Sequence, residues 1–164
     1  MRDWVRRRGV DRYRVKLSKN DRLLLLSLVE QLREQLLMST DSPGLQRLFP
    51  PAYADDAERD AGYQVLTRDE LLEGRLAALD VVESTLEEGT VELDRSQLTA
   101  WMTTINSLRL VLGTRLDIDE DLPDIDPDDP EAMAYAVYLF LTELLALIIR
   151  ALAEDVDAER EAGD

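Results

Sequence analysis

The residues of this chain best equipped for chemistry are the carboxylates crowded into one short stretch: Asp117, Asp119, Glu120, Asp121, Asp124, Asp126, Asp128, Asp129 and Glu131. Oxygen ligands at this density are what Ca²⁺ or Mg²⁺ takes. The alternation of Asp117, Asp119 and Asp121 matches the opening of a calcium loop. The match then fails, because Leu122 stands where the turn needs glycine and Asp128 stands where a bidentate Glu belongs. Starting the frame at Asp124 places Tyr135 at the final ligand position, which is worse. Asp117, Asp119 and Asp121 are therefore weak metal candidates. The plainer expectation is a solvated connector whose last carboxylates favour the positive end of the helix that follows.

A second constellation lies earlier in the chain. Glu70-Leu-Leu-Glu73 and Asp80-Val-Val-Glu83 have the spacing with which all-α nucleotide pyrophosphohydrolases hold Mg²⁺. Both pairs fall on one predicted helix rather than on facing helices, so a Mg²⁺- or Ca²⁺-binding all-α hydrolase is the second reading. The sequence contains no His and no Cys. That excludes thiolate sites, disulfides, imidazole ligands and every His-dependent triad. No catalytic residue and no cofactor is expected, and the leading reading is a helical interaction or regulatory protein rather than an enzyme.

The elements that must position these residues read clearly. A chain of 164 residues, 45% apolar and 33% charged, fits one globular domain with a proper core. Tyr13, Val15 and Leu17 alternate with basic residues, the period of a strand with one buried face, and Trp4 with the following Arg run supplies a hairpin partner turning near Gly9 and Val10. Ser18 opens a helix to about Met38, with Leu25, Leu28, Val29, Leu32 and Leu36 inward. A weak short helix over 55–65 precedes a capping box, Thr67 to Glu70, which starts a helix running to Gly89. Asp94 caps a third long helix that carries Trp101 and ends at Gly113. Asp129 and Pro130 begin a last helix reaching about Ala153. The fold class is mainly α: a single-domain bundle of four long helices plus short ones, with a small N-terminal β-hairpin. Its parts are a basic arm or hairpin over 1–17, the bundle over 18–153 and an acidic frayed tail over 154–164.

Charge and hydropathy set expectations about partners. The net charge is −16, yet residues 1–22 hold nine basic against three acidic side chains, a net of +6, so the remainder carries −22. A body that acidic repels phosphate, so no nucleic-acid partner is expected. The basic arm is expected to fold back on its own carboxylates. The N-terminus lacks an apolar stretch of signal length, and a cytoplasmic location follows as the expectation. The last helix is apolar on nearly every side but is interrupted by Glu143, so a buried core helix is expected rather than a membrane span. Full coverage of such a helix is hard in a small bundle, which predicts a homodimer through part of it. Glu143 is expected to pair with Arg109 or Arg115, because an unpaired buried charge is expensive. Phe49, Tyr53 and Trp101 are expected to be core anchors or a partner surface.

Leu-Phe-Pro-Pro-Ala-Tyr at 48–53, the Trp101 helix, Asn106 with Leu108-Arg109-Leu110, then Leu112-Gly113-Thr114-Arg115-Leu116, and an acidic loop closing on Asp-Pro form a combined pattern. In this pattern the chain resembles, over nearly its whole length, the actinobacterial domain of unknown function numbered two thousand and seventeen. Genes of that family often lie near the one for ClpS, which delivers substrates to the Clp protease. The resemblance implies no activity, but it points to a protein partner in regulated proteolysis.

Overall fold

A computed structural model of the chain describes residues 2–38, 43–49, 56–86, 89–118 and 124–163, with the main chain alone at 57–61 and 63–66. Two strands, β1 (Val5–Gly9) and β2 (Arg12–Lys16), lead into helix α1 (Lys19–Met38). A single 3-10 turn at Pro43–Leu45 precedes α2 (Ala57–Thr85), strand β3 (Thr90–Leu93), α3 (Arg95–Arg115) and α4 (Ala132–Ala162). The architecture is mainly α with a small antiparallel sheet ordered β1-β2-β3.

The N-terminal hairpin forms as its alternation requires. Val5 faces Val15 and Arg7 faces Tyr13, and the register slips once between Arg7 and Gly9. Gly9 at φ +145° and Asp11 at φ 56° make the turn in left-handed backbone, which glycine adopts freely and aspartate tolerates. The sequence reading missed the third strand. Thr90–Leu93 pairs with β2 in the register Tyr13 to Leu93 and Val15 to Val91. Four residues are too short for a period of two to stand out, and the pairing joins segments far apart in the chain.

Ser18 caps α1, its Oγ accepting from the Asp21 amide at 3.1 Å. Leu25, Val29, Leu32 and Leu36 are buried along one face, with Leu28 half-buried. The break expected at Thr67 does not occur, because α2 runs unbroken from Ala57 to Thr85. A Thr-x-x-Glu signature acts as a cap only where the chain enters a helix. Ala57, Glu58, Arg59, Ala61, Gln64 and Leu66 are good helix formers, and an interior Thr costs only tenths of a kcal/mol. The helix stops at Thr85, short of Gly89, whose φ of +66° turns the chain toward β3.

Asp94 caps α3 with a full capping box: its carboxylate accepts from the Gln97 amide at 2.8 Å and the Gln97 side chain accepts from the Asp94 amide at 2.9 Å. Gly113 does not end this helix. It lies buried inside α3, where an added Cβ would come within 3.1 Å of Arg47 Nη1 and 3.2 Å of Tyr138 Cε2. The stop comes one turn later. Asp117 takes the left-handed conformation at φ 54°, the Ile118 amide donates to the Gly113 carbonyl at 2.9 Å, and the Asp117 amide donates to the Thr114 carbonyl at 3.2 Å. These are the paired bonds of a Schellman ending with Asp in the position glycine usually fills.

The last helix also departs from expectation at both ends. Asp129 accepts from the Glu131 amide at 2.8 Å in a turn just before the helix, and Glu131 occupies the N-cap without a side-chain bond. The helix then continues to Ala162 through the stretch expected to fray. By length and composition α4 could cross a membrane, with an apolar window of mean hydropathy 2.1 of which 28% is buried. In this fold it packs on α3 and β1 and buries Tyr138, Leu141, Leu144, Leu145, Ile148 and Ala151.

Helix α3 stands at the centre. Trp101, Ile105 and Leu98 are fully buried on it, and α1, α2, α4 and the sheet surround it. The Trp101 indole donates to Thr85 Oγ1 at 2.8 Å, which satisfies the ring nitrogen that burial would otherwise strand. Trp4 meets Phe140 edge to face with centroids 5.0 Å apart, seating β1 on α4.

Candidate functional site

The structure separates residues that the sequence reading placed together and brings together others that it kept apart. Glu143 is exposed on α4, and so is Arg115 on α3. Among the described residues Arg109 meets neither an Asp nor a Glu: it donates to Tyr138 Oη at 3.3 Å and to Asn106 Oδ1 at 3.1 Å. The expected pairing of Glu143 with Arg109 or Arg115 is therefore absent, because one helical turn decides whether Glu143 points inward and it points to solvent. An exposed carboxylate needs no buried partner.

Arg109 instead shares a groove with Arg75, which no periodicity had singled out. Met102, Thr103 and Asn106 of α3 form its floor with Arg109, Arg75 enters from α2, and Leu145 and Ile149 of α4 form the other wall. Arg75 donates to Ser107 Oγ at 2.8 Å and to the Leu48 carbonyl at 3.2 Å. Its guanidinium lies 5.9 Å from the Phe49 ring centroid, and that of Arg68 lies 5.2 Å from the same ring. Burial pulls the Arg75 pKa below the usual arginine value. Both arginines keep a buried Nε without a hydrogen bond among the described residues. Two guanidiniums thus line one groove, and among the described residues their side-chain and carbonyl partners are neutral. In a chain of net charge −16, that arrangement can receive a carboxylate or another anion.

The described residues of the acidic stretch show no comparable convergence. Asp117 is exposed at the helix ending, and Asp124, Asp126, Asp128, Asp129 and Glu131 are exposed as well. Asp126 and Asp129 use their side chains on amides two residues on. No group of three or more His, Cys, Asp or Glu is placed to hold a metal among the described residues; Asp119 and Asp121 lie outside them, as does Tyr53. The start of this stretch is held by Arg47, which donates to the Ile118 carbonyl at 2.9 Å. The paired carboxylates of α2 have other surroundings. Arg33 of α1 binds Asp80 at 2.9 Å and Glu83 at 2.5 Å, while Glu70 and Glu73 are exposed.

A third cluster fixes the basic arm. Asp155 of α4, only 1% exposed, accepts from Arg7 Nε at 2.8 Å. Arg7, the Tyr13 hydroxyl and the Asp11 amide together hold the Asp155 carboxyl below the usual carboxylate range, against the opposing effect of burial. Burial first, and then the facing Asp155, push the Tyr13 phenol up to about 12. The Tyr13 hydroxyl and Asp155 Oδ2 are both buried without a hydrogen bond of good geometry, so that contact is electrostatic more than directional. Around the cluster, Arg14 pairs with Glu92 and Arg95 with Glu159, each at 3.3 Å. The arm packs on its own body.

Comparison with known proteins adds the kinship. Residues 1–152 match the family described as Domain of unknown function (DUF2017). The chain belongs to this family. It is 30% identical over 128 residues to the AosR protein of Mycobacterium leprae, covering 68% of this chain and 59% of that relative. It is 30% identical over 126 residues to the oxidative stress regulator AosR of Mycobacterium bovis and of Mycobacterium tuberculosis, covering 67% of this chain and 58% of each relative. The chain thus spans less than two thirds of the length of these curated relatives. No solved structure matches it.

Proposed function

We propose that the chain is a cytoplasmic regulatory protein that acts by binding a protein partner rather than by catalysis, in the oxidative stress response for which its mycobacterial relatives are named. The observation that carries the binding mode is the groove in which Arg75 and Arg109 bond, among the described residues, to neutral groups. Its apolar walls and paired guanidiniums suit an acidic segment with an apolar residue beside its carboxylate. The 164 residues contain no cysteine, so an oxidant signal reaches this stretch through its partner or through methionine, not through a thiol of its own. Kinship with named regulators over two thirds of the chain supports the cellular role.

The test is genetic and specific to the groove. Deleting the gene in its host changes peroxide survival and the peroxide-induced transcripts, and the wild-type gene restores both. Arg109→Glu, which reverses one groove charge at a half-buried position, folds but does not restore them. A deletion strain indistinguishable from its parent overturns the regulatory role. Full restoration by Arg109→Glu overturns the groove.

A further inference from the structure

The exposed face of α4 has a pattern that is nearly complementary to itself. Leu139, Glu143, Ala146, Arg150 and Ala153 are all exposed, and their spacing of four, three, four and three residues keeps them in one stripe along the helix. Most of the apolar window of this helix is not buried by the rest of the chain, and Leu139 is 46% exposed. The stripe runs roughly 21 Å along the axis. A twofold axis through Ala146 sets Leu139 opposite Ala153, seven residues to either side, and brings Glu143, three residues before it, beside Arg150, four residues after it.

We infer that this stripe is the contact between two copies of the chain, packed as antiparallel α4 helices. An isologous contact must be complementary to itself, and each feature here is. Ala146 meets its own copy at the crossing, where a small side chain lets the backbones approach. Leu139 of one copy fills the space left by Ala153 of the other. Glu143 faces Arg150 twice, once on each side of the axis. Arg150 is also engaged within its own chain, and the five donors of a guanidinium can serve two partners. The inference does not depend on the regulatory reading. The groove of Arg75 and Arg109 opens on the neighbouring flank of α4, with Ile149 between.

The experiment is light scattering on the full chain at micromolar concentration, with charge reversal as the discriminating arm. Wild type has twice the 18.7 kDa mass of one chain. Glu143→Arg places like charges together on both sides of the axis and gives the single-chain mass, and adding Arg150→Glu restores the double mass. Ala146→Glu also gives the single-chain mass. Circular dichroism of each variant matches wild type, because the positions are exposed. A wild type of single-chain mass overturns the inference, and so does a Glu143→Arg variant that remains double or a charge swap that fails to restore it. Flotation of wild type with lipid vesicles, accompanied by single-chain mass in solution, assigns the face to a membrane instead.

Discussion

At the residue scale, Asp155 has the clearest consequences. Its carboxyl is held below the ordinary value, chiefly by Arg7, so the fold favours the ionised form. The stability this contributes is complete above the ordinary carboxylate pKa of about 4 and is lost as pH falls from there through the lower folded value. Asp155→Asn is therefore expected to destabilise the chain by about 2 kcal/mol at neutral pH. The gap to wild type should narrow below about pH 4, as read by chemical denaturation across pH. The phenol of Tyr13 behaves in the opposite sense. With its folded pKa raised to about 12, the fold favours the neutral form and loses stability as pH rises from about 10 toward that value. Tyr13→Phe should lack that alkaline loss, and an equal loss in both proteins would exclude Tyr13 as its source. Neither role was legible in the sequence, since Asp155 lies in a stretch whose acidity reads as solvated and Arg7 lies 148 positions away.

At the element scale, the ends of α3 show what punctuation residues do and do not reveal. Gly113 looked like a helix stop because glycine is common just past the last turn. Here it is needed for close approach, with Tyr138 and Arg47 where a side chain would go. Gly113→Val should destabilise the chain by about 2 kcal/mol, because overpacking against Arg47 and Tyr138 outweighs the few tenths of a kcal/mol that helix propensity gains. Asp117, the residue that actually turns left-handed, tolerates Gly but not a β-branched side chain. Asp117→Val should lower stability by about 1 to 2 kcal/mol, with Asp117→Gly close to wild type. A thermal melt of the pair decides it, and equal melting of Val and Gly variants would rule out backbone strain. The helix starts were more legible than the ends. Ser18 and Asp94 cap where expected because a cap is a local bond between residues three apart, whereas the false start at Thr67 shows that the same residues are also compatible with a helix interior.

At the scale of the whole molecule, the hairpin and the last turns of α4 depend on each other. Ending the chain after Ala153 removes Asp155 and Glu159, the partners of Arg7 and Arg95. Hydrogen exchange should then show β1 and β2 amides opening much faster while the amides of α3 around Trp101 stay protected. Uniform protection in the truncated chain would show that the sheet stands without α4. The basic arm and acidic body are thus two halves of one contact, which the charge split between residues 1–22 and the remainder already foreshadowed. The sequence by itself determined the mainly helical class, the hairpin, the inward faces of α1 and α3 and the absence of thiol and imidazole chemistry. These follow from local periodicity, local caps and composition. Only the tertiary structure decided which charges meet, that β3 joins the sheet, that Arg75 and Arg109 share a groove, and which face of α4 is left open. Such pairings join residues distant in the chain, and their choice among many carboxylates and guanidiniums of equal chemistry is made by packing geometry.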